Sequence, residues 1–355
     1  MMQPFLPLLL ILPISIFLLF LTPYFYTSSG SSESRAPAET SRELLTAGAG
    51  AGDPPFPPLT RERKGLGGHH RIFHTFWVGN PEQPLNEKVL TAYRSVLRTQ
   101  FNVRFIIWTL HRSKEVTERQ VSSLKDFCPD AIVEVRTLAE LLAAVKLEVN
   151  DLKLCAASLD SPFDTPETFP IAGVSDLLRF LALYYYGGIY IDSDVLMVKS
   201  MSSFFNKDFA FRWDDSVEHY NTCVMGLRRH SPIPLKIIQH YKSCELKVFH
   251  PEAIHHALDC PNKICAEFTM YPTLFFDPMQ TEPVNSVEKK TWQWEAPQGA
   301  EEDRFGWIFT ADRMSSVDAF FPGIYAFHWH NRWETPINSN SMFAEFQRIN
   351  AKCVA

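Results

Sequence analysis

Two aspartates spaced by one residue, Asp192 and Asp194, follow the apolar run Ile189-Tyr190-Ile191. In an extended chain, residues i and i+2 share a face, so this spacing turns both carboxylates the same way. Paired oxygen ligands at the end of a buried strand suit Mg²⁺ or Mn²⁺, above all an ion shared with substrate phosphates. Upstream, Arg179 interrupts a segment that is otherwise apolar from Leu177 to Tyr186. A guanidinium in such surroundings needs an anion. Asp176, one helical turn back, is one candidate; a phosphate is another. Near the chain's end, an apolar strand over Ile324–Phe327 delivers His328, with His330 two residues on. Neutral imidazole is an acceptable Mn²⁺ ligand. His328 is the first candidate and His330 the alternative on the same face.

The elements that must position these groups follow from local chemistry. Ser175 is a good N-cap and Asp176 complements the positive end of a helix dipole, which predicts a buried helix over Leu177–Tyr186. Gly187 suits the left-handed position that ends a helix, and Ile189–Ile191 reads as a strand. Upstream, the pattern alternates. Strands are predicted at Ile72–Val78, Val103–Leu110 and Ala131–Val135, and helices at Leu85–Gln100, Lys114–Phe127 and Leu138–Val149. Strand–helix alternation implies an α/β domain with a mostly parallel sheet and a nucleotide-binding half. Further strands are predicted at Val195–Val198, Phe209–Trp213 and Asn221–Leu227, and helices at Ile233–Val248 and Ser341–Asn350. Asp151–Phe169 has little periodicity and reads as a loop over the site or a plain connection.

The run Ser175-Asp176-x-x-Arg179…Gly187-Gly188-Ile189-Tyr190-x-Asp192-x-Asp194 resembles the DXD region of retaining sugar-nucleotide glycosyltransferases. The match is to glycosyltransferase family 32, with its α-1,4-galactosyltransferase-like and initiating mannosyltransferase-like members. The resemblance implies a GT-A-type, Rossmann-like domain, a nucleotide-sugar donor and Mn²⁺ or Mg²⁺. It implies that Asp194 and Asp192 serve the metal, with His328 as a further ligand, while Asp176 and Arg179 hold the donor sugar and the metal-site carboxylates. Asn221, opening a short apolar strand, falls near the donor sugar. Trp77 falls against the uracil or guanine base, with Val78, Tyr190 and Trp333 as further contacts of the nucleotide. The acceptor, a glycan, glycoprotein or glycolipid, falls to variable segments such as 250–306. Asp214 and Asp215 read as contacts of the sugar or acceptor, or as an acidic surface turn. Stereochemical retention is implied as well, with the donor one of UDP-galactose, UDP-N-acetylglucosamine or GDP-mannose.

Three tracts organise the 355 residues. Residues 4–26 are apolar and uncharged, about long enough to span a bilayer, and read as a signal anchor; a cleaved signal peptide is the alternative. Residues 27–68, rich in Ser, Ala, Gly and Pro, read as a flexible stem. Residues 69–355 form the globular domain. Arg35 and Arg42 follow the apolar segment and no cation precedes it, so the positive-inside rule alone favours a cytosolic domain. The resemblance instead implies a type II protein of the Golgi or endoplasmic reticulum with a lumenal domain. With 46% hydrophobic residues the domain has material for a large core, and the net charge of −6 without a long basic run excludes nucleic acid as a natural partner. Seven cysteines contain no Cys-x-x-Cys pair, which argues against a zinc site and, in a lumenal protein, for some disulfides. Cys260 and Cys265 are spaced to close a small loop.

Two rivals stand beside the transferase. Asp192 and Asp194 also fit the first motif of a haloacid-dehalogenase-like phosphohydrolase, in which the first Asp is a nucleophile and the second an acid. The later Lys and Gly-Asp…Asp motifs of that class are missing. A non-catalytic, glycosyltransferase-like scaffold is the other, against which the complete Asp176, Arg179, Asp192, Asp194 set argues.

Overall fold

The computed structural model describes residues 71–148, 171–214, 219–243, 246–258, 267–280, 305–310 and 323–353. These all lie in the unit Phe56–Ala355. The expected anchor (4–26), stem (27–68) and loop (151–169), together with Asp215, Cys260 and Cys265, lie outside the described residues. Among the described residues, no helix is long and apolar enough to cross a membrane.

The described residues open with β1 (Arg71–Phe76), α1 (Glu87–Thr99), β2 (Val103–Thr109), α2 (Lys114–Gln120), α3 (Ser122–Phe127), β3 (Ile132–Thr137) and α4 (Leu138–Glu148). Then come α5 (Ile171–Tyr186), β4 (Gly188–Ile191), β5 (Val195–Met197), β6 (Phe209–Arg212), β7 (Tyr220–Leu227), α6 (Ile233–Tyr241) and α7 (Pro251–Leu258). The rest is β8 (Thr269–Tyr271), α8 (Trp307–Thr310), β9 (Ala326–His328) and α9 (Met342–Ile349). A seven-stranded sheet has the order β3-β2-β1-β4-β7-β6-β8. The pairs β1–β2, β2–β3, β1–β4 and β6–β8 are parallel, and β4–β7 and β6–β7 antiparallel. The sheet is therefore mostly parallel, as the strand–helix alternation predicts.

Alternate residues of each strand fill opposite faces. Phe73, Phe105, Ile107, Ile189 and Ile191 join one core with α1 and α9. Phe76, Ile106, Trp108 and Tyr190 join the other with α5. That is why β1, β2 and β4 read as nearly continuous apolar runs: both faces are covered.

Three boundaries differ from expectation. The helix before the carboxylates starts at Ile171, so Ser175 and Asp176 lie within it and Ser175 is not its cap. Ser175 instead bonds Tyr190 and Arg179 with its hydroxyl. The helix expected over 114–127 breaks at Val121, and the break lets both Val121 and Leu124 bury completely. The helix expected to reach Val248 stops at Tyr241, because Lys242 takes a left-handed conformation with φ of 50°. Among the described residues, the disulfide Cys128–Cys353 ties the end of α3 to the segment after α9, and Cys223 is a buried free thiol.

Gly187 and Gly188 make the turn from α5 into β4, with φ of +69° and +106°. A side chain at Gly188 would run into the backbone carbonyl of Ile72, so only glycine lets β4 lie against β1 here. His74 of β1 locks this turn. Its Nε2–H donates to the Gly187 carbonyl at 2.9 Å, and its Nδ1 accepts from Trp108 Nε1–H at 3.1 Å. Burial pushes the imidazole from 6.5 down to about 4, the hydrogen bond to Gly187 opposing only in part. A depressed folded value gives stability that is complete above about 6.5 and is lost as pH falls towards 4. We expect the domain to lose up to about 3 kcal/mol over that interval through this residue. Urea unfolding at pH 7, 5.5 and 4 checks this: His74→Gln should be less stable at pH 7 but show a shallower acid loss. Parallel curves would refute it.

Candidate functional site

A cleft of about 700 Å³ runs along one edge of the sheet. Its position follows from the topology. The chain builds β1, β2 and β3 outward in one direction, then returns to place β4 on the other side of β1. Such a switch point leaves a crevice at the carboxyl ends of the parallel strands. The residues after β1 (Trp77, Val78), after β4 (Asp192–Asp194) and after β6 (Trp213) all line the cleft, as do Asn221 and Thr222 at the start of antiparallel β7.

The carboxylates stand in a turn and not, as the strand reading expects, in an extended chain. Strand β4 ends at Ile191, and the Asp192 N–H still donates to Cys223 O at 2.8 Å. Ser193 then turns inward. Its hydroxyl donates to Phe76 O at 2.8 Å and meets Tyr93 Oη at 2.9 Å and Thr75 Oγ1 at 3.3 Å. The middle residue of the motif thus stitches the turn to the end of β1, with Asp192 and Asp194 both facing the cleft.

Arg179 supports Asp192. Its Nη2 lies 3.1 Å from Asp192 Oδ1, 3.0 Å from Asp176 Oδ1 and 3.2 Å from Ser175 Oγ. Its Nη1 donates to Thr222 Oγ1 at 2.6 Å, and its guanidinium carbon lies 4.8 Å from the Tyr190 ring centroid. The anion required by this buried cation is therefore a pair of carboxylates. Burial pushes Asp192 up to about 6; Arg179 opposes the rise and the Asp194 charge adds to it. Asp192 keeps 26% of its side chain exposed at the cleft.

Asp194 is set differently. It accepts from the Asn331 N–H at 2.8 Å, and His328 Nε2 lies 3.2 Å away. Strand β9 brings His328 there by pairing with β5, which leaves the motif directly, in a register that sets His328 opposite Val195. His330 and Asn331 both take left-handed φ, of 49° and 59°, and the Asn331 amide donates to the carboxylate. Burial would raise Asp194, but His328 and the Asn331 amide outweigh it and hold the carboxyl below its ordinary value. One end of the motif thus faces a guanidinium and the other an imidazole.

Trp77 and Trp333 form an aromatic corner of the cleft, with centroids 6.2 Å apart and planes at 61°. Trp77 Nε1–H donates to Gln120 Oε1 at 3.3 Å, and Trp333 Nε1–H to Asn331 Oδ1 at 3.0 Å. Lys88 of α1 donates to the Arg332 carbonyl and lies over the Phe309 ring at 3.8 Å, so α1 holds the turn that carries Trp333. Asn221 is 3% exposed and lines the cleft; its Oδ1 accepts from Cys223 N at 3.0 Å, while its buried Nδ2 has no hydrogen-bond partner among the described residues.

Of the residues expected at the site, the cleft gathers Trp77, Val78, Asp176, Arg179, Asp192, Asp194, Asn221, His328 and Trp333. Tyr190 is the correction: it is fully buried and does not line the cleft. A strand residue between Ile189 and Ile191 must face the opposite side of the sheet, and there Tyr190 bonds Ser175 at 2.7 Å and underlies Arg179. Sequence reasoning missed Ser193, Lys88 and Asp277. Asp277 Oδ2 lies 2.7 Å from His330 Nε2 and 3.4 Å from His328 Nδ1. No periodicity surrounds Asp277, and only tertiary packing gives it a role.

Residues 87–210 match the family model described as glycosyltransferase sugar-binding region containing DXD motif. The matched residues are about a third of the chain, and Asp192-Ser193-Asp194 supplies a DXD pattern within them. A protein of Arabidopsis thaliana described as Uncharacterized protein At4g19900 is 41% identical over 69 residues. That stretch is 19% of this chain and only 10% of the relative. Among solved structures, mouse xyloside xylosyltransferase 1 in its apo form superposes with a TM-score of 0.40 at 12% identity, covering 76% of this chain and 99% of that one. A structure described as PaToxG glycosyltransferase gives 0.39 at 16% identity, covering 54% and 70%.

Proposed function

We propose that the protein is a metal-dependent, retaining hexosyltransferase of GT-A type that moves a sugar from UDP-galactose, UDP-N-acetylglucosamine or GDP-mannose to a glycan or glycolipid acceptor. The observation that carries this reading is the junction of Asp192 and Asp194 with an aromatic corner and an orphan amide donor in one cleft. The donor set suits a hard divalent ion, with carboxylate oxygens from Asp192 and Asp194 and imidazole nitrogen from His328. A Mn²⁺ or Mg²⁺ ion held there supplies Lewis acidity to the leaving diphosphate.

The chain's own groups do the rest. Trp77, Val78 and Trp333 take the base. Arg179, held from behind by Asp176, keeps Asp192 aimed at the cleft by one charge-assisted hydrogen bond. Asn221 Nδ2 donates to a hydroxyl of the donor sugar, where its pairing energy is gained only with substrate present. Strands β1 and β6 flank the β4–β7 pair on opposite sides, so an acceptor entering past Trp213, His250 and Pro251 meets the sugar from the side away from the base. The disulfide Cys128–Cys353 favours an oxidising compartment, in keeping with a type II Golgi or endoplasmic reticulum protein whose anchor is residues 4–26. Among the described residues, no lysine of the kind the phosphohydrolase uses lines the cleft.

A donor panel with Mn²⁺ tests the proposal. Release of UDP or GDP from one of the three donors, abolished by EDTA, is the expected result. No release from any donor by folded protein would favour the non-catalytic scaffold.

A further inference from the structure

We propose that Asp277 is a positioning residue of the metal site, fixing the ring orientation and tautomer of His328; this rests on the metal reading above. Asp277 is fully buried and does not line the cleft, so it cannot touch a substrate there. Its Oδ2 meets both histidines, His330 Nε2 at 2.7 Å and His328 Nδ1 at 3.4 Å, the latter nitrogen also lying 3.4 Å from the Cys223 thiol, whose sulfur is the weaker acceptor. The two imidazoles stack with centroids 3.9 Å apart, and Phe305 closes against His330 at 3.9 Å. On its far side, His328 presents Nε2 to Asp194 at 3.2 Å. The chain Asp277–His328–Asp194 thus has the form in which a carboxylate accepts from one ring nitrogen and leaves the other for a metal. A proton kept on Nδ1 by Asp277 makes Nε2 the ligating atom.

Asp277 is itself rigidly held. Its backbone N–H donates to Thr273 O at 2.8 Å, and the Thr273 hydroxyl donates to Arg212 O at 2.8 Å, at the end of β6. The adjoining Phe275 carbonyl accepts from Tyr325 N–H at 2.7 Å, just before β9. The support of His328 is therefore anchored both to the sheet and to the strand that carries the histidine.

Asp277, His328 and His330 also form a cluster whose ligand atoms lie within 4.8 Å of one another. A metal chelated by all three is disfavoured by the 2.7 Å between Asp277 Oδ2 and His330 Nε2. Two atoms bound to one ion at about 2.1 Å each stand roughly 3 Å or more apart. The spacing is that of a hydrogen bond.

The test is Mn²⁺ binding followed by electron paramagnetic resonance, with UDP and, in parallel, GDP. Asp277→Asn is expected to raise the Mn²⁺ dissociation constant about 10- to 100-fold while the circular dichroism spectrum is retained. In a His328→Gln background the same change should add little. If wild type binds Mn²⁺ and folded Asp277→Asn binds it equally, Asp277 has no positioning role and the metal reading stands. If wild type binds none with either nucleotide, the metal reading fails and this proposal with it. A second Mn²⁺ per chain, lost with Asp277, would make it a ligand and overturn the proposal. A measurement on the unaltered protein guards against a variant that does not fold. With Mg²⁺ and UDP or GDP bound, the ¹⁵N spectrum should show His328 protonated on Nδ1, and the Nε2–H tautomer would refute the assignment.

Discussion

Asp194→Asn is expected to lower Mn²⁺-dependent donor hydrolysis by roughly 10²- to 10³-fold, the size of loss seen when one electrostatic element is removed from an active site. The variant should remain folded. Asparagine fills the same space, and its amide oxygen still accepts from the Asn331 N–H that now meets Asp194 at 2.8 Å. What it loses is charge. His328 owes its raised imidazole pKa in part to Asp194, Cys223 and Asp277 acting against burial, so it too becomes easier to deprotonate once Asp194 is neutral. Under the proposed function the deficit therefore belongs to metal and diphosphate stabilisation and not to folding. Hydrolysis rates across a Mn²⁺ titration, set beside a thermal unfolding curve, separate the two. Undiminished hydrolysis in a folded Asp194→Asn protein would refute the role given to this carboxylate.

What was readable in the sequence around Asp194 was readable for local reasons. The α5–β4 turn announces itself because Gly187 and Gly188 take positive φ, which other residues adopt at a cost. Strands β1, β2 and β4 announce themselves because both of their faces are buried and they run apolar for several residues. Arg179 stood out as a cation among leucines, and its need for an anion was met by Asp176 and Asp192. The remainder depends on contacts between distant segments. Ser175 has the residue type of an N-cap, yet Ile171–Val174 continue the helix ahead of it and its hydroxyl serves Tyr190 and Arg179. Tyr190 sits inside the motif but faces the far side of the sheet, a consequence of the two-residue period that the motif match ignores. Asp277 has no local signature at all: its histidines arrive through the pairing of β5 with β9, an event of tertiary structure.

Arg179→Leu is expected to destabilise the domain by about 3–5 kcal/mol, the cost of leaving buried carboxylates without their partner. Arg179 is 5% exposed and its guanidinium bridges Asp176 and Asp192. Leucine fits the apolar surroundings of α5, so the loss is electrostatic more than steric, and its pH dependence can be worked out. Burial already raises Asp176 and Asp192 above the ordinary value of 3.8 while Arg179 opposes it; without the guanidinium both rise further. A carboxyl whose folded value exceeds its unfolded one carries a penalty that is absent below the unfolded value and grows as pH rises through the interval between them. The deficit of Arg179→Leu should thus be small near pH 4 and grow as pH rises past about 6, the value of Asp192 with Arg179 in place. Adding Asp192→Asn to Arg179→Leu removes one uncompensated charge and should restore part of the stability at pH 8. Chemical denaturation of wild type and the two variants at pH 4.5 and 8 decides the matter. A deficit that is independent of pH, or largest in acid, would mean that Arg179 acts through packing and that Asp192 is not held at the cleft by its charge.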